Sequence, residues 1–244
     1  ALTCGEPAGI GPELAVAARA SLGKAVPFFW MGDPRHLPPG TAFQEILSPQ
    51  AASAVPDQLL PVLRHEFAAP SSPGQPNPAN AAGIIDVIAR AVDLVQHGHA
   101  SAICTSPINK KALKDGAGFA FPGHTEYLAH LAGIGQVVMM LACKELRVVP
   151  VTIHIPIAEV PAALTAERLE TTIRIARDGL MREFGIPAPR IAVAGLNPHA
   201  GEGGLFGLEE QTTIAPAIAR AKLEGMHVSG PFAPDTVFMR ARHT

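Results

Sequence analysis

Short apolar, β-branched runs alternate with longer amphipathic runs along this chain, and no other feature limits its fold as strongly. "ALTC" (1–4) leads through a Gly/Pro turn into "PELAVAARASLG" (12–23), where Pro12 suits a first helical turn. "VPFFWMG" (26–32) reads as a strand and "AAGIIDVIARAVDLVQHG" (81–98) as a helix closing on a glycine. "ASAICTSPI" (100–108) reads as a buried strand running into a turn. "VVMMLACKELRVVPVTIHI" (137–155) reads as two antiparallel strands around a tight Lys-Glu turn. "TAERLETTIRIARDGLMREFG" (165–185) is a helix with Thr165 as N-cap and Gly185 at its close. "RIAVAGLN" (190–197) is a strand, and "GLEEQTTIAPAIARAKLEG" (207–225) a helix whose first-turn Glu209 and Glu210 suit the helix dipole. The breaker-rich "AAPSSPGQPNPAN" (68–80) reads as a linker or lid.

Strand–helix alternation with one hairpin implies an α/β fold with a mixed sheet and helices on both faces. The helix before Gly98 divides the chain into a first lobe, residues 1–100, and a second, 101–244, carrying the hairpin. At 244 residues with 48% hydrophobic and 16% charged residues, the chain can bury a substantial core. A net charge of −2 gives no basic face for nucleic acid or an anionic membrane. No apolar run reaches the roughly 20 residues that span a bilayer. The opening "ALTCGEPAG" shows no signal-peptide pattern, so a cytoplasmic location is expected. Cys4, Cys104 and Cys143 lie far apart, which predicts reduced, buried thiols.

In open α/β folds ligands gather at the carboxyl ends of strands, so polar residues just past apolar runs are the candidates. "TCGEPAGIGPE" follows the first strand and "TSPINKKAL" follows "ASAIC". There Lys110 and Lys111 meet an anionic substrate or line a solvated helix face. His154 ends the hairpin's second strand in "VTIHIP", and His199 sits past "RIAVA" in "GLNPHAGEGG". His124 and Thr125 open a predicted helix in "FPGHTEY". Imidazole is the commonest neutral metal ligand, and three such ligands with an open position make a catalytic site. Each of these histidines also fits a plainer role, hydrogen-bonded to backbone at a strand or helix end. The other seven, His36, His65, His97, His99, His130, His227 and His243, read as surface or helix-end residues. "GEGGLFG" lacks the Lys-Ser/Thr of a Walker A loop, and "GEPAGIG" is no GxGxxG. The glycines after His199 instead let backbone and ligand approach closely. Asp235, in "GPFAPDTVF", is held in a stiff turn and is open to capping a helix, orienting a ligand or neither.

"GEPAGIGPE", "PGHTEYLA", "VVMMLA", "LRVVPVTIHIP", "GLNPHAGEGGLFGLEE" and "GPFAPDTVF" together resemble, in order, the blocks of the 4-hydroxythreonine-4-phosphate dehydrogenase family of pyridoxal phosphate biosynthesis. The resemblance runs nearly the whole chain and implies a two-lobed α/β/α fold like that of isocitrate and isopropylmalate dehydrogenases. It implies a homodimer with the site at the subunit interface, and a divalent metal (Zn, Mg or Co) held by three histidines, two of them His154 and His199. It further implies substrate contacts from His124 and Thr125, a catalytic contribution from Asp235 in maintaining the active site, and NAD or NADP as cofactor. Relative to that family the chain is expected to be C-terminally truncated, since the third metal histidine, in a "YHDQG" block, and the phosphate-gripping residues follow "RARHT". The first lobe's C-terminal part would be among the missing segments. The implied reaction is oxidation of 4-phosphooxy-threonine to a β-keto acid that loses CO₂ to give 3-amino-2-oxopropyl phosphate. Rival readings are a paralogous threonate or erythronate 4-phosphate dehydrogenase, a phosphotransacetylase-like acyltransferase, and a non-enzymatic fragment that dimerises.

Overall fold

The computed structural model describes residues 1–23 and 25–241, which leaves His243 outside the described residues. The chain forms two compact units, the first ending at Gly135 and the second beginning at Gln136.

In the first unit, β1 (Leu2–Thr3), β2 (Trp30–Gly32), β3 (Phe43–Glu45) and β4 (Leu60–Arg64) form a parallel sheet in the order β1-β2-β4-β3. The register pairs Leu2 with Trp30, Trp30 with Val62, and Phe43 with Leu60. On the other side of β1, Cys104 forms a single parallel bridge with Leu2. The expected strands at 26–32 and 100–108 are therefore much shorter, three residues in one case and one bridge in the other. Pro27 and Pro107 lack the N–H that a longer ladder needs.

Helix α1 (Gly11–Leu22) carries Pro12 in its first turn, as expected. Its buried Arg19 ties it to the β3–β4 connection by donating to the carbonyls of Leu59 (2.9 Å) and Pro56 (2.9 Å). Helix α2 (Ala81–Gln96) buries Ala81, Ile84, Val87, Ile88, Ala91 and Val92, an apolar stripe at helical spacing. Helices α3 (Lys110–Ala117) and α4 (His124–Ala132) pack on α2. Asn109 caps α3 by accepting the Ala112 N–H at 3.0 Å, and Tyr127 of α4 donates its hydroxyl to the Ile85 carbonyl at 3.3 Å. These contacts, with backbone bonds from Thr3 to Cys104 and Cys104 to Ala1, fold residues 101–135 into the first unit, past the expected boundary at 100/101.

The second unit holds an antiparallel hairpin, β5 (Leu141–Ala142) and β6 (Arg147–Val148), as the Lys-Glu turn predicts. The hairpin is short, because Pro150, two residues past Val148, removes a ladder donor. After α5 (Val160–Ala163), helix α6 (Ala166–Arg182) starts at the expected cap, the Thr165 hydroxyl accepting the Arg168 N–H at 3.2 Å. Strands β7 (Arg190–Ala194) and β8 (His227–Phe232) pair in parallel across α7 (Ala215–Leu223). Helix α8 (Pro234–Ala241) follows. Leu169 and Ile173 of α6 meet Val193, Ile218, Ala221 and Val228 in this unit's core. The parallel and antiparallel ladders thus occupy separate sheets rather than one mixed sheet.

Two of the three thiols depart from expectation. Cys4 is fully buried, but Cys104 at the sheet edge and Cys143 in the hairpin turn are exposed. His36 is a helix-end residue, as expected, closing the 3-10 turn Pro34–His36, but it does not lie on the surface. It is buried, with Nε2 3.0 Å from the Ala69 carbonyl and its ring edge against Phe67.

Candidate functional site

The second unit's candidate site begins where β7 ends. Asn197 organises the loop. Its side-chain oxygen accepts the His199 N–H at 3.1 Å, and its carbonyl accepts the Ala200 N–H at 2.8 Å. Beyond His199 the backbone turns left-handed at Ala200 (φ 51°), Gly201 (70°), Glu202 (42°), Gly203 (69°) and Gly204 (106°). Glycine accepts such angles freely, but Ala200 and Glu202 are strained there, at a cost of order 1–3 kcal/mol each. Only three described non-glycine residues have positive φ, and His154 (59°) is the third. Backbone strain therefore falls on the two loops that carry the sequence-selected metal histidines.

Asp235 lies in the first turn of α8 rather than in an isolated turn, and its Oδ2 is 3.5 Å from His199 Nδ1. A carboxylate facing one imidazole nitrogen at this range biases the ring's orientation and leaves the other nitrogen, Nε2, for a metal or a proton. His154 is exposed in a bend six residues past Val148, not at the end of β6 as expected. Among the described residues no group of three or more His, Cys, Asp or Glu side chains is placed to hold a metal ion. The pairing the structure makes is His199 with Asp235.

Glu210, which the sequence marks only as a first-turn acid, is nearly fully buried beneath this loop. Its Oε1 accepts the N–H groups of Leu196 (2.8 Å) and Asn197 (3.1 Å). It opens a single π-helical turn, Glu210–Ile214, ahead of α7. Such turns recur at functional sites.

In the first unit His124 and Thr125 begin α4, as expected, with Gly123 before them and Glu126 in the first turn. Burial and, secondarily, the Lys110 ammonium hold the His124 imidazole below its ordinary pKa, which favours the neutral ring. Its Nε2 is buried and without a hydrogen-bond partner. Helix α4's N-terminus and Lys110 together give this spot a positive field. At the sheet's carboxyl end, the loop after β1 meets residues 106–107. Glu6 donates its N–H to the Pro107 carbonyl at 2.8 Å, and a Cβ at Gly5 would stand 2.5 Å from that oxygen. The chain leaves β1 toward β2 on one side and reaches it from Cys104 on the other, the kind of switch point where α/β folds bind ligands.

Residues 17–244 match the family model described as pyridoxal phosphate biosynthetic protein PdxA. The chain is 59% identical over 249 residues to the 4-hydroxythreonine-4-phosphate dehydrogenase of Paracoccus denitrificans, covering 99% of this chain and 76% of that protein. It is also 59% identical over 243 residues to the enzyme of the same name from Roseobacter denitrificans, covering 99% and 74%. The crystal structure of the Klebsiella pneumoniae 4-hydroxythreonine-4-phosphate dehydrogenase superposes with a TM-score of 0.91 at 39% identity, over 99% of this chain and 76% of that one. The loop motifs, the α/β architecture and these likenesses agree: the chain belongs to the family of the pyridoxal phosphate biosynthetic protein PdxA.

Proposed function

We propose that this protein is an NAD- or NADP-linked dehydrogenase of 4-phosphooxy-threonine acting in pyridoxal phosphate biosynthesis. The observation that carries the reading is the His199–Asp235 pair, set at the carboxyl end of β7 inside a strained, glycine-rich loop. In the reaction the substrate's hydroxyl proton leaves to a base and hydride passes from the same carbon to the nicotinamide. The β-keto acid so formed loses CO₂, giving 3-amino-2-oxopropyl phosphate.

His199, with Nδ1 on a carboxylate, has the donor chemistry of a metal-ligating imidazole. His154 would be the second ligand, and the third donor must come from outside the described residues, since these assemble no set of three. A bound divalent cation would polarise the hydroxyl and lower its pKa. Asp235 orients His199. The neutral His124, with Thr125, binds the substrate's polar groups. The isocitrate-dehydrogenase-like two-lobed fold, the cytoplasmic location and a homodimer with a shared site belong to the same reading.

The test is NAD(P)H formation from 4-phosphooxy-threonine, with and without Zn²⁺, Mg²⁺ or Co²⁺ after chelation, set against threonate and erythronate 4-phosphates. Metal-dependent turnover that is lost in His199→Ala supports the reading. Turnover unchanged in that variant, or confined to the threonate or erythronate substrates, rejects it. Chelator-insensitive acyl transfer to coenzyme A would put a phosphotransacetylase in its place.

A further inference from the structure

We infer that Glu210 is a positioning residue for His199: the buried carboxylate clamps the first peptide groups of the β7 exit loop and so fixes where the imidazole is presented. The inference rests on the dehydrogenase reading for its catalytic consequence, though the clamp itself is a statement about structure alone.

Three observations carry it. Glu210 Oε1 takes two successive backbone N–H groups, those of Leu196 and Asn197. Asn197 in turn holds the N–H of His199 with its side chain and that of Ala200 with its carbonyl. A continuous line of hydrogen bonds therefore runs from Glu210 through Asn197 to His199. Second, the carboxylate is bracketed by two glycines that have no room for a side chain. A Cβ at Gly195 would stand 2.8 Å from Oε1, and one at Gly201 would stand 2.7 Å from Oε2. Two of the glycines around His199 thus serve the fit of a carboxylate nine to fifteen residues away in sequence. Third, Glu210 is anchored from the opposite side, because Ile214 and Ala217, one and two turns further on, are buried in the unit's core.

The energetics point the same way. Among the described residues, Glu210's partners are backbone amides rather than a cation, and Oε2 is buried with no hydrogen-bond partner. An unpaired buried acceptor opposes folding. An apolar side chain would leave the Leu196 and Asn197 N–H groups without this acceptor, so the carboxylate is explained by what it holds.

The experiment compares wild type, Glu210→Ala, Glu210→Gln and Gly201→Ala in the full protein. It measures amide hydrogen exchange residue by residue, thermal melting, and steady-state oxidation of 4-phosphooxy-threonine. In Glu210→Ala, exchange at Leu196 and Asn197 rises by about tenfold or more, while Val193 and Val228 in the β7–β8 sheet keep their protection. Its kcat/KM falls by about tenfold to a hundredfold. Glu210→Gln retains an acceptor oxygen and restores both readouts to within about threefold of wild type. Gly201→Ala, which crowds Oε2 with Glu210 intact, raises exchange at the same two amides. The inference is overturned if the Ala variant leaves Leu196 and Asn197 protected, if Val193 and Val228 lose protection with them, or if Gln is as defective as Ala. If Glu210→Ala does not fold, Glu210→Gln and Gly201→Ala decide by the same exchange criterion. A wild type inactive on the substrate removes the dehydrogenase reading and leaves the exchange test of the clamp standing.

Discussion

Oδ2 of Asp235 stands 3.5 Å from Nδ1 of His199, and the Asp235 amide donates to the carbonyl of Pro198, one residue earlier in the same loop. The first turn of α8 is thus the backstop of the imidazole. Both side chains are well exposed, 59% for His199 and 43% for Asp235, so the pair contributes little to folding. Its effect is on ring orientation. Asp235→Ala is expected to lower kcat/KM by about tenfold to a hundredfold, with unfolding free energy changed by less than about 1 kcal/mol. Kinetics and urea denaturation on one preparation check both halves.

Asp33 gives a pH prediction. Its carboxylate is fully buried, and burial works against the charge. The Arg35 guanidinium and the N–H groups of Arg35 and Phe67 overcome this and hold its pKa down to about 2. The folded value lies below the ordinary 3.8, so the stabilisation is complete above pH 3.8 and is lost as pH falls toward 2. Asp33→Asn should therefore be less stable than wild type by about 2 kcal/mol near neutrality, with the gap closing below about pH 3. Denaturation midpoints measured at several pH values report it.

His124 titrates below the usual imidazole value, first because it is buried and second because of Lys110. Lys110→Met should raise its NMR titration midpoint, but not to that usual value, because the larger cause remains. A depressed histidine opposes folding only while it is charged. Stability should rise with pH between the folded and the ordinary midpoints, and should fall as pH drops through that window.

Gly116 lies inside α3 where that helix crosses the turn at Pro78. An added Cβ would stand 2.1 Å from the Pro78 carbonyl oxygen. Gly116→Ala gains in helix propensity but must push α3 off this turn, and the clash outweighs the gain. A net loss of about 1–3 kcal/mol is expected from thermal or chemical unfolding.

What the sequence made legible was local. Thr165, its acids and the apolar stripe of α6 lie within one helix, so cap, period and terminus could be read together. The Lys-Glu hairpin turn was equally plain. Lengths of strands were not, since Pro27, Pro107 and Pro150 end ladders that β-branched composition would have extended. His154 was placed at a strand end for the same reason. The first unit runs to Gly135 because helices α3 and α4 return to α2, a contact of which a linear reading shows nothing. Asp235 was recognisable as constrained but its partner was not, because His199 is thirty-six residues earlier. Glu210 was hidden behind an ordinary role, a first-turn acid, since its partners are main-chain amides that carry no mark in the side-chain code.

The left-handed run from Ala200 to Gly204 also shapes how this loop tolerates change. At Glu202 a glycine, or a D-amino acid introduced by chemical ligation, would relieve torsional strain, whereas β-branched residues anywhere in the run would be rejected. A saturation library over Ala200, Glu202 and Gly203 would come back enriched in glycine and asparagine, a footprint of handedness rather than of chemistry.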